Sequence, residues 1–350
     1  MLRSSFGGRA VVSTATTPRS SGAFATPRAA RRYWLLLIAL VLVGGAAGFG
    51  LLAYSNPMPF GTEKFWLIAE RRLNGVIAMA VVAVCQAVAT VAFHTVTNNR
   101  IITPSIMGFE SLYLAIHTAT VYFFGVTGLL DARNTTMFLI QVALMVGLSL
   151  VLYAWLLTGK NPDMHAMLLV GVVIGGGLGS VATFMQRMLT PSEFDVLTAR
   201  LFGSVNNADP QDFPVALPLC AIAALGLILL SRRLNIVALG RDAAVGLGVN
   251  YQRHAIAALI LVSVLMAVST ALVGPMTFLG FLVATLTYQI AGTYDHRYVF
   301  PMAISVAFVV LAGAYFLMNH VFYAQGVVSI IIELVGGSVF LLVILRKGRL

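Results

Sequence analysis

The segment Leu234–Asn250, LNIVALGRDAAVGLGVN, is rich in small residues, carries one Arg–Asp pair, and lies between two long apolar runs. Leu234, Ile236, Val237 and Leu239 open it and Gly240 breaks it. Asp242 can serve as an N-cap or a first-turn acid for a short helix running Ala243 to Leu247. Gly248 stands where helices commonly end. Such a helix is small, smooth and nearly uncharged on one face, which suits a groove on another protein better than open water. A helix lying on the membrane surface is the plainer alternative.

The rest of the chain sets the solvent. Of its 350 residues, 59% are hydrophobic and 10% charged, against about 25% charged in soluble domains. The mean hydropathy is +0.92, so lipid surrounds most of the chain. The net charge of +10 does not point to nucleic acid, because the basic residues sit at the ends of apolar runs and form no patch. Cys85 and Cys220 both fall inside apolar stretches and read as small buried hydrophobes. The six His are scattered without H-x-x-x-H or H-E-x-x-H spacing, so no metal site is expected. Gly159-Lys160 has Ala154 where a phosphate-binding loop needs its first Gly, so any ATP and Mg belong to another chain. No nucleophile, base and acid stand together in a plausible aqueous cleft, and no enzyme activity is expected of this chain.

Apolar stretches long enough to cross a bilayer number about ten, near 34–54, 74–95, 105–125, 136–157, 164–187, 214–231, 252–273, 276–292, 299–319 and 327–345. The third begins at Pro104 and Gly108, and the eighth is short and interrupted by Gly280. The expectation is an all-α polytopic membrane protein with a transmembrane domain over 34–350 and a connecting loop over 232–251. Residues 1–33 are rich in Ser, Thr, Ala, Gly and Arg and lack acids, which predicts a disordered basic tail. A cleaved signal competes, since Arg31-Arg32 precedes an apolar run, but that run, Tyr33 to Tyr54, is long enough to be a retained span and the segment before it is long for a signal. With ten spans, sixteen of the 22 Lys and Arg fall on the side of the termini, which places both termini in the cytoplasm.

Two short motifs echo each other. ITPSIMGFE opens the third span and VGPMTFLGFL opens the eighth, each with a Pro followed by Gly-Phe, on spans of opposite direction. Inverted repeats of this kind place broken helices around a pathway. Glu110 and Glu333 are acids inside spans, and such acids are functional candidates by default. The alternative for each is a hydrogen-bonded structural group. Gly171, Gly175 and Gly179, at four-residue steps, permit close helix packing.

These features together resemble the FecCD-type permease subunits of iron-siderophore and cobalamin ABC importers. ALGRDAAVGLGVN is similar to that family's ATPase-coupling loop, and the resemblance runs from about Arg72 to the C-terminus. HTVTNNRIITPSIMGF matches the family pattern at Asn99, Pro104 and Gly108, with His94 where Gln is usual and Arg100 where Pro is usual. VGPMTFLGFLV matches in the eighth span, although Ala284-Thr285 and Tyr288 replace the usual Pro-His and Arg, and the pattern returns at Asp295, His296, Arg297 and Pro301. The departures look like the branch serving catecholate siderophores such as petrobactin, anguibactin or vibriobactin.

The resemblance implies a type II importer permease fold of ten helices with an inverted repeat. The implied partners are an ABC ATPase dimer, a second related permease or a second copy, a substrate-binding protein or lipoprotein, and ferric siderophore as cargo. It implies ATPase coupling through Gly240, Arg241, Asp242, Ala243, Ala244, Gly246, Leu247 and Gly248. Binding-protein docking would fall to Arg71 and Arg72, although Gly75 has lost the family's second such position. The pathway would involve His94, Asn99, Pro104, Gly108, Glu110, Gly175, Gly179, Pro275 and Gly280. The location would be the bacterial cytoplasmic membrane. Cobalamin or haem import, a secondary transporter without an ATPase, and a membrane scaffold stay open at this point.

Overall fold

The computed structural model describes residues 22–54, 58–59, 61–131, 134–157, 164–320 and 328–347. Twelve α-helices follow in chain order: α1 (Pro27–Ala53), α2 (Glu63–Thr97), α3 (Phe109–Asp131), α4 (Thr135–Leu157), α5 (Met164–Gln186), α6 (Pro191–Leu201), α7 (Phe213–Val237), α8 (Arg241–Gly246), α9 (Tyr251–Val273), α10 (Leu279–Ile290), α11 (His296–His320) and α12 (Val328–Lys347). Eight are long and apolar enough to cross a membrane, and two shorter apolar segments lie in α10 and α12. All ten expected spans therefore have a helix. Among the described residues there is no strand, as the hydrocarbon solvent requires of a spanning chain that is not a closed barrel.

The centre of the bundle is α2. Its run from Ala78 to Phe93 is apolar except for Gln86 and Thr90 and almost wholly buried, the pattern of a helix enclosed by others. Ala, Val and Cys dominate that run, and small side chains let α7, α9 and α11 pack closely against it. Cys85 and Cys220 are buried as the sequence suggests, and they also touch each other across α2 and α7, with sulfurs 3.4 Å apart. On the outside, Trp34, Leu42 and Phe49 of α1 and Phe123 and Phe124 of α3 are exposed, the arrangement expected where lipid replaces water.

Two expectations are corrected. The helix carrying the first span begins at Pro27, not at residue 34: Thr26 accepts a hydrogen bond from the Ala29 amide and Pro27 occupies the first turn, a favourable start for both residues. Phe24 packs on Tyr33 and Tyr298, and the Tyr33 hydroxyl donates to the Tyr298 carbonyl at 2.9 Å. Residues 22–33 are thus part of the folded body, while the disorder expected for 1–21 lies outside the described residues.

The second correction concerns Gly280, which does not interrupt α10. The break lies earlier, at Gly274 with φ +87°, and Gly280 is a helical residue pressed against α2. A Cβ there would sit 2.2 Å from Thr90 Oγ1, so its lack of a side chain is a packing requirement.

Gly280→Ala should therefore lower stability by about 1–3 kcal/mol through overpacking. Thr90→Ala combined with Gly280→Ala should recover most of that loss. Thermal unfolding of the detergent-purified protein checks this, and equal melting temperatures for the single and double variants would show that the α2–α10 contact is not limiting.

Candidate functional site

The bundle has two ends. One carries α8 together with the C-termini of α2, α7 and α10 and the N-termini of α9 and α11. The other carries α6, the C-termini of α1, α9 and α11 and the N-terminus of α2. The predicted site residues fall into four groups along this axis.

The first group is α8 itself. Gly240 is the N-cap, at φ +92°, and the helix runs Arg241–Gly246. The chain can turn there because glycine reaches that region without steric cost. Asp242 is thus the first-turn acid and not the N-cap, and the helix starts two residues earlier than the expected Ala243. Ala244 and Val249 are buried and pin the segment to the bundle. Arg241, Asp242, Ala243, Val245, Gly246, Leu247 and Gly248 are all exposed. Leu239, Val245 and Leu247 are each about 60% exposed, so the loop presents an apolar knob beside an Arg–Asp pair.

The second group joins the two break motifs, one just before α3 and the other just after the C-terminus of α9. Pro104 starts a one-turn 3₁₀ helix (Pro104–Met107), and Gly108, at φ +98°, ends it before α3 begins. Gly175 of α5 lies directly against Gly108, where a Cβ on Gly175 would meet the Gly108 Cα at 3.2 Å. Gly179 faces only Ser111, at ordinary distance. Pro275 follows the break at Gly274, and its carbonyl packs so closely on Gly203 that a Cβ there would lie 1.9 Å away. Thr277, which sequence reasoning passed over, donates to Glu110 Oε2 at 2.7 Å. Glu110 Oε1 is buried without a hydrogen-bond partner. The two echoing motifs are therefore stitched together by side chains that each supplies. Glu333 is instead exposed on α12.

The third group lies at the α8 end. Asn99 makes the turn after α2 by accepting from the Ile101 and Ile102 amides at 2.9 and 3.3 Å. His94 lines a cavity of 320 Å³ with Arg100, Tyr288, Tyr294 and His296. The Arg100 guanidinium lies 4.7 Å from the Tyr288 ring centre and 5.8 Å from that of Tyr294. Two departures from the family pattern, noted separately in the sequence, thus meet in space. Beside them, Asn235 accepts from the His296 amide at 3.0 Å and donates to Asp295 at 2.9 Å. Burial acts to raise the Asp295 pKa, but Arg297 and Asn235 outweigh it and hold the carboxyl at about 2.

The fourth group is at the α6 end. Arg71 and Arg72 line a cavity of 590 Å³ with Leu51, Tyr315 and His320. Arg71 is exposed. Arg72 has a structural task, because its Nη1 donates to the carbonyls of Leu51, Leu52 and Tyr54 at 3.0–3.4 Å. It caps the C-terminal carbonyls of α1, which have no partner within the helix. Among the described residues no group of three His, Cys, Asp or Glu could hold a metal.

Comparison with known proteins bears on this arrangement. The family model described as the FecCD transport family matches residues 33–346. The chain is 54% identical over 332 residues to the petrobactin import system permease protein FatC of Bacillus anthracis, covering 95% of this chain and 94% of that protein. It is 34% identical over 279 residues to the petrobactin import system permease protein YclO of Bacillus subtilis (strain 168), covering 80% and 89%. Its fold matches a solved inward-facing, putative metal-chelate type ABC transporter with a TM-score of 0.77, at 19% identity over 89% of this chain and 99% of that one.

The stitch between the break motifs is testable. Thr277→Val leaves the Glu110 carboxylate without its 2.7 Å donor, and should cost about 1–3 kcal/mol. Thr277→Ser should behave like the wild type. Thermal unfolding in detergent separates the two, and a wild-type melting temperature for Thr277→Val would exclude a role for this bond in holding the breaks.

Proposed function

The chain belongs to the FecCD transport family, and from that premise we propose that it is the membrane-spanning permease subunit of an ATP-driven importer carrying a ferric catecholate siderophore, petrobactin or a close analogue, into the cytoplasm. The observation that carries this reading is the 54% identity across 95% of the chain to a petrobactin import permease. Its own geometry supports it. Helices broken inside the bundle around Gly108 and Gly274 suit a path through the protein. The iron travels already chelated, so the pathway needs no metal ligands of its own.

The driving force comes from outside the chain. ATP and Mg are held by a partner ATPase dimer that grips α8 from the cytoplasm. An exposed apolar knob on a short rigid element transmits the closure of that partner to α7 and α9. The distribution of Lys and Arg supports cytoplasmic termini, which puts α8 on the cytoplasmic face and Arg71 on the outer face, where a binding protein docks. Arg71 is the freer of the two arginines for that docking, since Arg72 is engaged with α1. A second, related permease completes the pathway. An exposed Glu333 beside exposed Leu334 and Val335 on α12 would be costly against lipid, so this face turns toward a partner helix or a wet path.

Two measurements test the reading. Deleting the gene should abolish uptake of ⁵⁵Fe-petrobactin by iron-starved cells, with restoration by the intact chain. Retained uptake that follows an ion gradient after ATP depletion would favour a secondary transporter. Asp242→Lys should reduce uptake about tenfold or more while leaving capture of the loaded binding protein unchanged. Normal uptake by that variant would remove α8 from the coupling mechanism.

A further inference from the structure

The cavity at the α8 end has the construction of a ligand site. Its cation, Arg100, is held between the faces of Tyr288 and Tyr294. Aromatic faces attract a guanidinium and leave its N–H edge free to bond something else. The one ion pair among the described residues joins Arg297 to Asp295, so no carboxylate neutralises Arg100. The nearby acid, Asp295, is already occupied by Arg297 and Asn235.

His94 also lines the cavity, but as part of its wall. It is 3% exposed, and its Nε2 is closed off from the open space. Its Nδ1 lies 3.4 Å from the Tyr288 hydroxyl, so it bears on the ring that stacks on Arg100. The cavity thus offers a guanidinium edge with no paired carboxylate, beside exposed aromatic surface from Tyr294. What suits such a set is an anionic oxygen carried on an aromatic ring.

On the reading that this chain is a siderophore permease, we infer that this cavity is an exit subsite for the aryl oxygens of the ferric chelate. Its 320 Å³ hold one ring-bearing arm of the cargo, with the guanidinium on the oxygens and the tyrosine rings on the aromatic face. The site lies where α2 and α10 both end, past the two breaks in the direction of import. Its affinity must be modest, because cargo that binds too well does not leave. Arg100 makes contact with the cargo, and Tyr288, backed by His94, is a positioning residue for it.

The test uses the whole transporter, with both permeases and the ATPase, purified without its binding protein. Equilibrium binding of ⁵⁵Fe-petrobactin is measured beside uptake into proteoliposomes supplied with the binding protein. Arg100→Gln should weaken binding about tenfold, the loss expected for a charge-assisted bond, with a matching fall in maximal uptake. Arg100→Lys keeps the charge without the planar fork and should fall between, which preserves the test if the Gln variant fails to assemble. Tyr288→Leu removes one ring face from Arg100 and should also weaken binding.

Unchanged binding in Arg100→Gln overturns the inference, as does a wild type that imports normally without saturable binding. Loss of the ATPase from the purified Arg100→Gln complex would assign the cavity to ATPase docking instead. Loss of a co-purifying anionic phospholipid with chelate binding intact would assign it to a headgroup. If the complete wild-type transporter imports no ferric petrobactin at all, the proposed function itself fails, and that outcome is separate from the others.

Discussion

Inside a bilayer every backbone N–H and C=O must find a partner within the protein, and this constraint governs where the chain can depart from a helix. It departs at 98–108 and again at 274–278, inside the bundle. Each departure is tied off by neighbours. Asn99 bonds the Ile101 and Ile102 amides within the first, and the Ser204 amide reaches the Val273 carbonyl beside the second at 2.8 Å. The Val205 amide is met by the Tyr315 hydroxyl at 2.6 Å. The α6 segment therefore does more than connect α5 to α7, because its last turn and the loop after it cover the broken end of α9.

The same constraint explains the small residues. Backbone carbonyls at a break must be approached closely by other backbones, and side chains stand in the way. Gly203 against the Pro275 carbonyl and Gly175 against Gly108 are the two tightest such approaches at the breaks. Where approach is not demanded, as at Gly179, the glycine has no comparable neighbour. A stripe of glycines at four-residue spacing thus contains one residue under strong constraint and another under little. Spacing alone does not separate them, because the constraint comes from the facing helix.

This marks the limit of what the sequence revealed. The spans, the α8 loop and the break after Pro104 were legible because each is written locally, in hydropathy, caps and turn residues. The site was legible only in part. The Asn99 side chain acts on amides two and three residues on, and Gly108 acts through its own φ, so a single stretch displays both. The Glu110–Thr277 bond joins residues 167 apart and the His94–Tyr288 contact residues 194 apart, so no local pattern contains either. The faint signals were the echo of the two Pro–Gly-Phe motifs and the paired departures at Arg100 and Tyr288. The structural task of Arg72 was hidden for a related reason: the carbonyls it caps belong to another helix, about twenty residues earlier in the chain.

The position of the α8-end cavity also bears on how force reaches it. α8 is joined to α7 on one side and α9 on the other. From α7, Asn235 holds His296 and Asp295, which close one wall of the cavity. From α9, the Tyr251 hydroxyl donates to the Val96 carbonyl at 3.0 Å, two residues beyond His94 on α2. Both elements that leave α8 therefore grip the helix ends that carry the cavity's polar groups. A rigid displacement of α8 cannot leave those ends where they are unless these bonds break. Packed interiors move between discrete arrangements and do not deform smoothly. A pull on α8 should thus reposition Arg100, Tyr288 and His94 relative to one another. On the proposal that an ATPase holds α8 and Arg100 holds the chelate, coupling and release become one event at one end of the bundle, and no signal need travel its length.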